Sequence, residues 1–231
     1  MRFRNAFLSQ VSADDHAELS PFLREIALFG GEILSEPNTP ITSVYFPSNA
    51  TISIVAVMSD GREVETLPIG CEGVAGLLPA VTHTAPATRM RVQIGGGAIS
   101  LPADRLRAQA QRSAPLMALI LRFAQDRAAQ AEQSAACCAL HPLPSRLARW
   151  LLICEDRVDR STLLLTQDEM GAMAGALRSS ISMLASDFKQ QGLISYSRGH
   201  LQILDRPRLE AQACECYAAD CARRNANALA A

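Results

Sequence analysis

Residues 166–203 narrow the fold more than any other stretch of this 231-residue chain. Thr166 and Glu169 have the spacing of a capping box, in which the threonine hydroxyl satisfies an orphan amide while the glutamate reaches back to the cap. Met170, Met173 and Ala174 then fall on one helical face, and Gly175 ends that helix with the left-handed geometry of a sharp turn. Ile181, Leu184, Ala185 and Phe188 recur at i, i+3, i+4 and i+7, the buried stripe of a second helix. Its opposite face carries Ser179, Ser182, Met183 and Ser186, with Arg178 at its start. Those side chains are slender, so that face can approach another surface closely. Gly192 stops the helix, and residues 194–197, the turn Arg198-Gly199 and residues 200–203 alternate as a small hairpin. Helix, glycine turn, helix and hairpin in that order describe a winged helix-turn-helix, a module that sets one helix into a DNA major groove.

Each part taken alone also describes plain packing or a solvated serine face; their conjunction in one short segment is the informative observation. Charge placement agrees with it. The chain has 22 basic and 23 acidic residues, a formal net charge of −1, which excludes a broadly basic nucleic-acid coat. Between Arg178 and Arg198, however, the basic residues Arg178, Lys189 and Arg198 are opposed only by Asp187. A local positive strip suffices for a specific binder, because a dimer doubles its phosphate contacts.

From residue 30 to 102 short β-rich runs alternate with turns. The expected strands are 32–34, 43–46, 51–57, 63–67, 88–94 and 98–101, with Asp60-Gly61 as a hairpin turn and Gly95-Gly96-Gly97 as a break. That pattern points to a sandwich, jelly roll or barrel. A helix is expected over residues 22–28, begun near Ser20-Pro21, and another over residues 104–111. Pro115 opens a long helix whose apolar stripe is Leu116, Leu119, Ile120 and Phe123. The stripe either packs on the chain's own β-domain or forms a parallel dimer seam; its length and narrowness favour the seam. His141-Pro142-Leu143-Pro144 reads as a hinge. A helix follows from Ser145, with Leu147, Trp150, Leu151 and Cys154 inward, then a polar stretch over residues 155–161, a strand over 163–165, and a final Ala-rich helix opened by Pro207. The fold class is therefore α+β: an N-terminal jelly-roll-like β-roll over residues 1–112, a dimerisation helix and hinge over 113–141, a winged helix-turn-helix over 142–213 and a helical tail over 214–231.

That order resembles the Crp/Fnr family of bacterial transcription regulators over nearly the whole chain. The most specific likeness lies in Leu165-Thr166-Gln167-Asp168-Glu169-Met170 and Gly192-Leu193-Ile194, supported by Arg146-Leu147-Ala148-Arg149-Trp150-Leu151-Leu152 and by the turn Asp60-Gly61-Arg62-Glu63. The resemblance implies a bacterial, cytoplasmic homodimer on an inverted-repeat DNA site, with RNA polymerase as a partner, a small-molecule effector as an open question and no membrane association. Members that bind cyclic nucleotides use a Gly-Glu-Leu segment and a later Arg-Ser pair. Here the segment reads Gly73-Val74-Ala75-Gly76-Leu77 and the pair is Thr84-Ala85, so the ribose acid and the phosphate arginine are missing. Tight cyclic AMP binding is not expected; Glu72 and Arg89 are the nearest stand-ins. The recognition helix of many members reads Arg-Glu-x-x-x-Arg. Arg178 matches the first arginine, Ser179 replaces the glutamate and Met183 the second arginine, which removes one bidentate guanine contact. Arg178, Ser179, Ser182 and Met183 are the expected base readers, with Ser180, Lys189, Arg198 and His200 on phosphates.

The seven cysteines include no C-x-x-C pair, so zinc-finger and thioredoxin readings lack support, and none precedes Cys71, unlike the N-terminal cluster of oxygen-sensing members. They are expected to act as small buried residues, with redox sensing by Cys214, Cys216 and Cys221 a minority alternative. No cofactor or metal is expected, and His16 and His83 are lone histidines. No P-loop, G-x-G-x-x-G, G-x-S-x-G or H-E-x-x-H motif is present, so an enzyme is not expected. The competing function is a ligand- or redox-responsive interaction protein with a weakened DNA-binding module.

Overall fold

The computed structural model describes residues 5–157 and 162–229; residues 158–161 of the expected polar stretch lie outside them. Two antiparallel sheets build an N-terminal β-roll. One has the order β1 (Arg24–Leu28), β7 (Gly96–Pro102), β3 (Ser43–Pro47); the other runs β2 (Ile33–Ser35), β6 (Arg89–Ile94), β4 (Thr51–Val57), β5 (Glu63–Ile69). Leu28, Ile52, Ile69, Met90, Val92 and Ala98 close the core between them. The Asp60-Gly61 turn joins β4 to β5 as expected, with Gly61 at φ +83° and Met58 N–H donating to the Arg62 carbonyl at 2.8 Å.

Two expectations in the roll are corrected. Residues 22–28 are not a helix: Ser20–Phe22 is a single 3-10 turn, and β1 pairs with β7 from Arg24↔Ser100 to Leu28↔Gly96. The Gly95-Gly96-Gly97 run is not a turn either, since Gly96 and Gly97 lie within β7. Glycine is required there because backbone approaches backbone: a Cβ on Gly96 would sit 2.8 Å from Ala50 N, and one on Gly95 2.9 Å from the Leu28 carbonyl oxygen.

Short helices α1 (Ala6–Ser9) and α2 (Ala13–Leu19) cover one end of the roll, and α3 (Leu77–Thr82) and α4 (Ala103–Ala110) complete it. The long helix α5 (Ala114–Leu140) begins at Ser113, whose hydroxyl accepts from Leu116 N–H at 3.1 Å, with Pro115 in its first turn. Leu116, Leu119, Ile120 and Phe123 are buried against Phe7, Leu8, Phe46 and Leu77 of the same chain, and the Phe7 and Phe123 rings meet edge-on at 5.5 Å. The expectation that this stripe is the dimer seam is therefore corrected. Its apolar side chains are already packed on the roll of the same chain.

After a two-residue hinge come α6 (Leu143–Glu155), β8 (Leu163–Leu164), α7 (Gln167–Ala174), α8 (Arg178–Gln190), the hairpin of β9 (Ile194–Ser197) and β10 (His200–Ile203), then α9 (Arg206–Gln212) and α10 (Cys216–Leu229). The last two correct the expected single tail helix. The C-terminal module has its own core, built on Leu147, Leu151, Met170, Ile181, Phe188 and Leu201.

A buried polar seam locks this module to the roll. Arg157, just past α6, places Nε and Nη2 2.9 and 2.8 Å from Glu72 Oε1. Burial pushes the Glu72 carboxyl up, but the guanidiniums of Arg157 and Arg127 outweigh it and hold it at about 2. Nearby on β5, Glu65 accepts from the Ser53 hydroxyl and, at 2.9 Å, from Gln93 Nε2. Here burial dominates and pushes the carboxyl up to about 7, against the Ser53 hydrogen bond and the charges of Arg157 and Arg91. A raised carboxyl means that the folded chain holds a proton the unfolded chain has lost. The penalty is absent below pH 4.5, grows as pH rises and is complete above pH 7. Glu65→Gln removes it. The stability gap between this variant and the parent, from urea unfolding, should widen by on the order of 3 kcal/mol between pH 4.5 and pH 8. Parallel pH profiles would refute the assignment.

Candidate nucleic-acid interface

Local chemistry sets the helix-turn-helix. Thr166 caps α7: its hydroxyl accepts from Glu169 N–H at 3.2 Å, and Thr166 N–H donates to Glu169 Oε2 at 2.7 Å, the reciprocal box that the spacing predicts. Gly175 stands at φ +61° and turns the chain into α8. Helix α8 buries Ile181, Leu184, Ala185 and Phe188 and leaves Arg178, Ser179, Ser182, Met183 and Ser186 exposed. Met183 is 76% exposed, the most exposed large apolar side chain of this helix and a strong departure from what packing alone would select. Leu177, at the cap position, offers no side-chain hydrogen bond and is itself exposed.

The sequence-derived candidates lie on two neighbouring elements. Arg178, Ser179, Ser182, Met183 and Lys189 occupy the outer side of α8, with Ser180 half-buried at its flank. Arg198, in the left-handed region at φ +51°, forms the hairpin tip with Gly199, and His200 follows; both Arg198 and His200 are exposed. Arg178 Nη1 lies 3.5 Å from Asp168 Oδ2, an exposed pair of small worth that a stronger anion can displace. Two participants escaped the sequence reading. Gln167 Nε2 donates to the Ser182 hydroxyl at 3.3 Å, bringing α7 to the edge of the same face. Leu143 and Pro144 form the opposite wall of a shallow groove with Ser180, Met183, Asp187 and Gln190. A cleft between the Asp60-Gly61 hairpin and the α7–α8 turn, lined by Met58, Arg62, Asp168, Leu177 and Arg178, brings the roll beside the start of α8.

The comparisons with known proteins follow this geometry. Residues 145–212 match the model of the Crp-like helix-turn-helix domain. The chain carries a Crp-like helix-turn-helix domain, and its fold is that of Crp/Fnr regulators. A Crp/Fnr transcriptional regulator from Eubacterium rectale superposes with a TM-score of 0.73 at 18% identity, covering 91% of this chain and 99% of that one. FixK2 from Bradyrhizobium japonicum gives 0.70 at 16% identity, over 83% and 98%. The c-di-GMP-responsive regulator CLP of Xanthomonas campestris gives 0.68 at 15% identity, over 84% and 100%. No curated protein matches the sequence. Among the described residues no helix is long and apolar enough to cross a membrane.

Within this Crp/Fnr fold, the two residues nearest a nucleotide-binding role are engaged elsewhere. Glu72 is buried on Arg157, and Arg89 pairs with Glu36 at 2.8 Å and with Glu63. The Phe123 ring fills the space beside Gly73, where an added Cβ would lie 3.0 Å from it.

Proposed function

We propose that the protein is a homodimeric, sequence-specific DNA-binding transcription regulator that works without cyclic AMP. The observation that carries this reading is the outer face of α8: a helix braced by Ile181 and Phe188 whose exposed side carries an arginine, three serines and a methionine over its first turns, with Asp187, Lys189 and Gln190 exposed in the last. Serine hydroxyls and a methionine thioether suit hydroxyl and methyl contacts in a major groove, with Arg178 as the guanine reader. Lys189, Arg198 and His200 flank that face and take phosphates. Cyclic AMP independence is supported by the missing phosphate arginine and by the engagement of Glu72 with Arg157.

A dimer needs a seam other than the buried stripe, and α5 offers one. Ala118, Leu121, Gln125, Ala128, Glu132 and Ala135 are exposed and recur at alternating steps of three and four, a heptad seam on the side away from the roll. Its small residues suit close helix approach, with Leu121 as the large apolar anchor. Two copies paired along it present two α8 helices to one side.

The test is a gel-shift series on an enriched site. Arg178→Ala should cost about 1–3 kcal/mol of binding and relax base preference at one position of each half-site, while Lys189→Ala weakens all sequences alike and lowers the salt slope. Unchanged affinity and preference in Arg178→Ala removes this face from base reading.

A further inference from the structure

The break between α9 and α10 turns the tail back onto the end of α5. There, Cys137 in the last turn of α5 and His141 at its C-cap, four residues on, meet Cys214 and Cys216. Cys137 Sγ lies 3.5 Å from Cys214 Sγ, and Cys216 Sγ lies 3.6 Å from His141 Nδ1. All four ligand atoms are within 4.8 Å of one another, with the three cysteines buried and the histidine half-buried. We propose that Cys137, His141, Cys214 and Cys216 bind one zinc ion that clasps the C-terminal tail to the hinge between α5 and α6.

Geometry and chemistry select the ion. Tetrahedral zinc, with bonds of about 2.3 Å to sulfur and about 2.0 Å to nitrogen, holds its ligand atoms about 3.4–3.8 Å apart, the spacing of the two closest pairs here. A four-iron cluster fills the volume between its cysteines and keeps them farther apart than this group stands. Three sulfurs and one imidazole are a closed structural set with no position left for substrate. The outer contacts fit the same reading. Glu215 Oε1 lies 3.3 Å from His141 Nε2, placed to accept a hydrogen bond from Nε2–H and so leave the Nδ1 lone pair facing the sulfurs. Gln133 Nε2 donates to Cys216 Sγ at 2.9 Å, the kind of N–H···S contact that steadies a thiolate. On binding, the three thiols lose their protons to solvent and the imidazole binds as the neutral base, so no oxidant or reductant takes part.

Position gives the site its consequence. His141 is the residue at which α5 ends, and Pro142 caps α6. An ion held by His141 and by the tail therefore fixes the direction in which α6 leaves α5. A buried ion pair reinforces that joint, with Arg149 of α6 2.8 Å from Asp220 of α10. Cys138 and Cys221 neighbour the group in sequence without belonging to it, which makes them controls.

The full chain, purified under reducing conditions without added metal, should carry about one zinc per chain by elemental analysis. After chelation it should take up about one cobalt(II), with the intense visible bands of a tetrahedral thiolate site. Cys214→Ser and Cys137→Ser should lose the zinc and the tetrahedral spectrum, Cys138→Ser and Cys221→Ser should keep both, and His141→Cys should retain the metal with a spectrum shifted toward four sulfurs. Because the serine variants test folding as well as binding, the cobalt titration of the parent chain is the deciding arm. A parent chain that arrives without zinc and takes up no cobalt overturns the proposal. A Cys137–Cys214 disulfide in the reduced preparation, or a cobalt spectrum unaltered in Cys214→Ser, does the same. The metal count is independent of whether α8 binds DNA.

Discussion

Arg157→Ala lowers the stability of the folded chain by about 3–5 kcal/mol, because it leaves the buried Glu72 carboxylate without its hydrogen-bonded counter-charge, Arg127 being the remaining guanidinium. The two residues are 85 apart in sequence, and both are under one-tenth exposed. Oε1 of Glu72 takes both guanidinium contacts and also the Gly70 N–H at 3.2 Å; Oε2 has no hydrogen-bond partner among the described residues. In the parent chain the depressed Glu72 carboxyl contributes stability that is fully present above pH 4.5 and is lost as pH falls through about 2. In Arg157→Ala that carboxyl rises, so the variant gains more stability on mild acidification than the parent, whose gain comes from Glu65 alone. The double variant Arg157→Met/Glu72→Met should regain most of the loss, since removing both charges removes the desolvation cost along with the attraction. Chemical unfolding of the three proteins at pH 5 and pH 8 checks this. A single-variant loss under about 1 kcal/mol, or a double variant no better than the single, contradicts the clasp.

The second large effect concerns assembly. Leu121→Asp should convert the proposed dimer to monomer in sedimentation while leaving the roll folded, because Leu121 is 61% exposed and lies outside the roll's core cluster. The two introduced carboxylates would face each other across the seam. Affinity for an inverted-repeat duplex should then fall by about 10²–10⁴-fold, the usual worth of linking two binding modules, with half-site binding retained. Phe123→Asp should behave differently: it places a charge in the core beside Phe7 and destabilises the chain itself. A Leu121→Asp protein that still sediments as a dimer removes the outer α5 face from the account.

What could be read in the sequence depended on the range of the interactions. The helix-turn-helix was legible residue by residue because its determinants are local: a capping box four residues long, Gly175 at a left-handed turn, and an apolar stripe within one helix. The roll was legible as a run of strands, and Asp60-Gly61 marked its hairpin. Strand β1 was not, since Phe22, Leu23, Ile26 and Leu28 suit a helix as well as a strand, and what decides between them is pairing with residues 96–100. The stripe Leu116–Phe123 announced burial without saying against what; coordinates assign it to the roll. Arg157 with Glu72, and Cys137-x-x-x-His141 with Cys214-x-Cys216, are joined only by the tertiary fold. The second group was not read as a metal site, because neither half has C-x-x-C spacing and the two halves lie 73 residues apart, with no local rule to connect them.

The most direct test of the central claim is selection of bound duplexes from a randomised library by the full-length protein, followed by sequencing. The account predicts enrichment of an inverted repeat whose half-sites are centred about one helical turn, 10 base pairs, apart, with base preference at the positions under α8 that Arg178→Ala relaxes. A pool that stays random after repeated rounds at low salt, or one enriched for a single unrepeated half-site by a protein that sediments as a dimer, would contradict it.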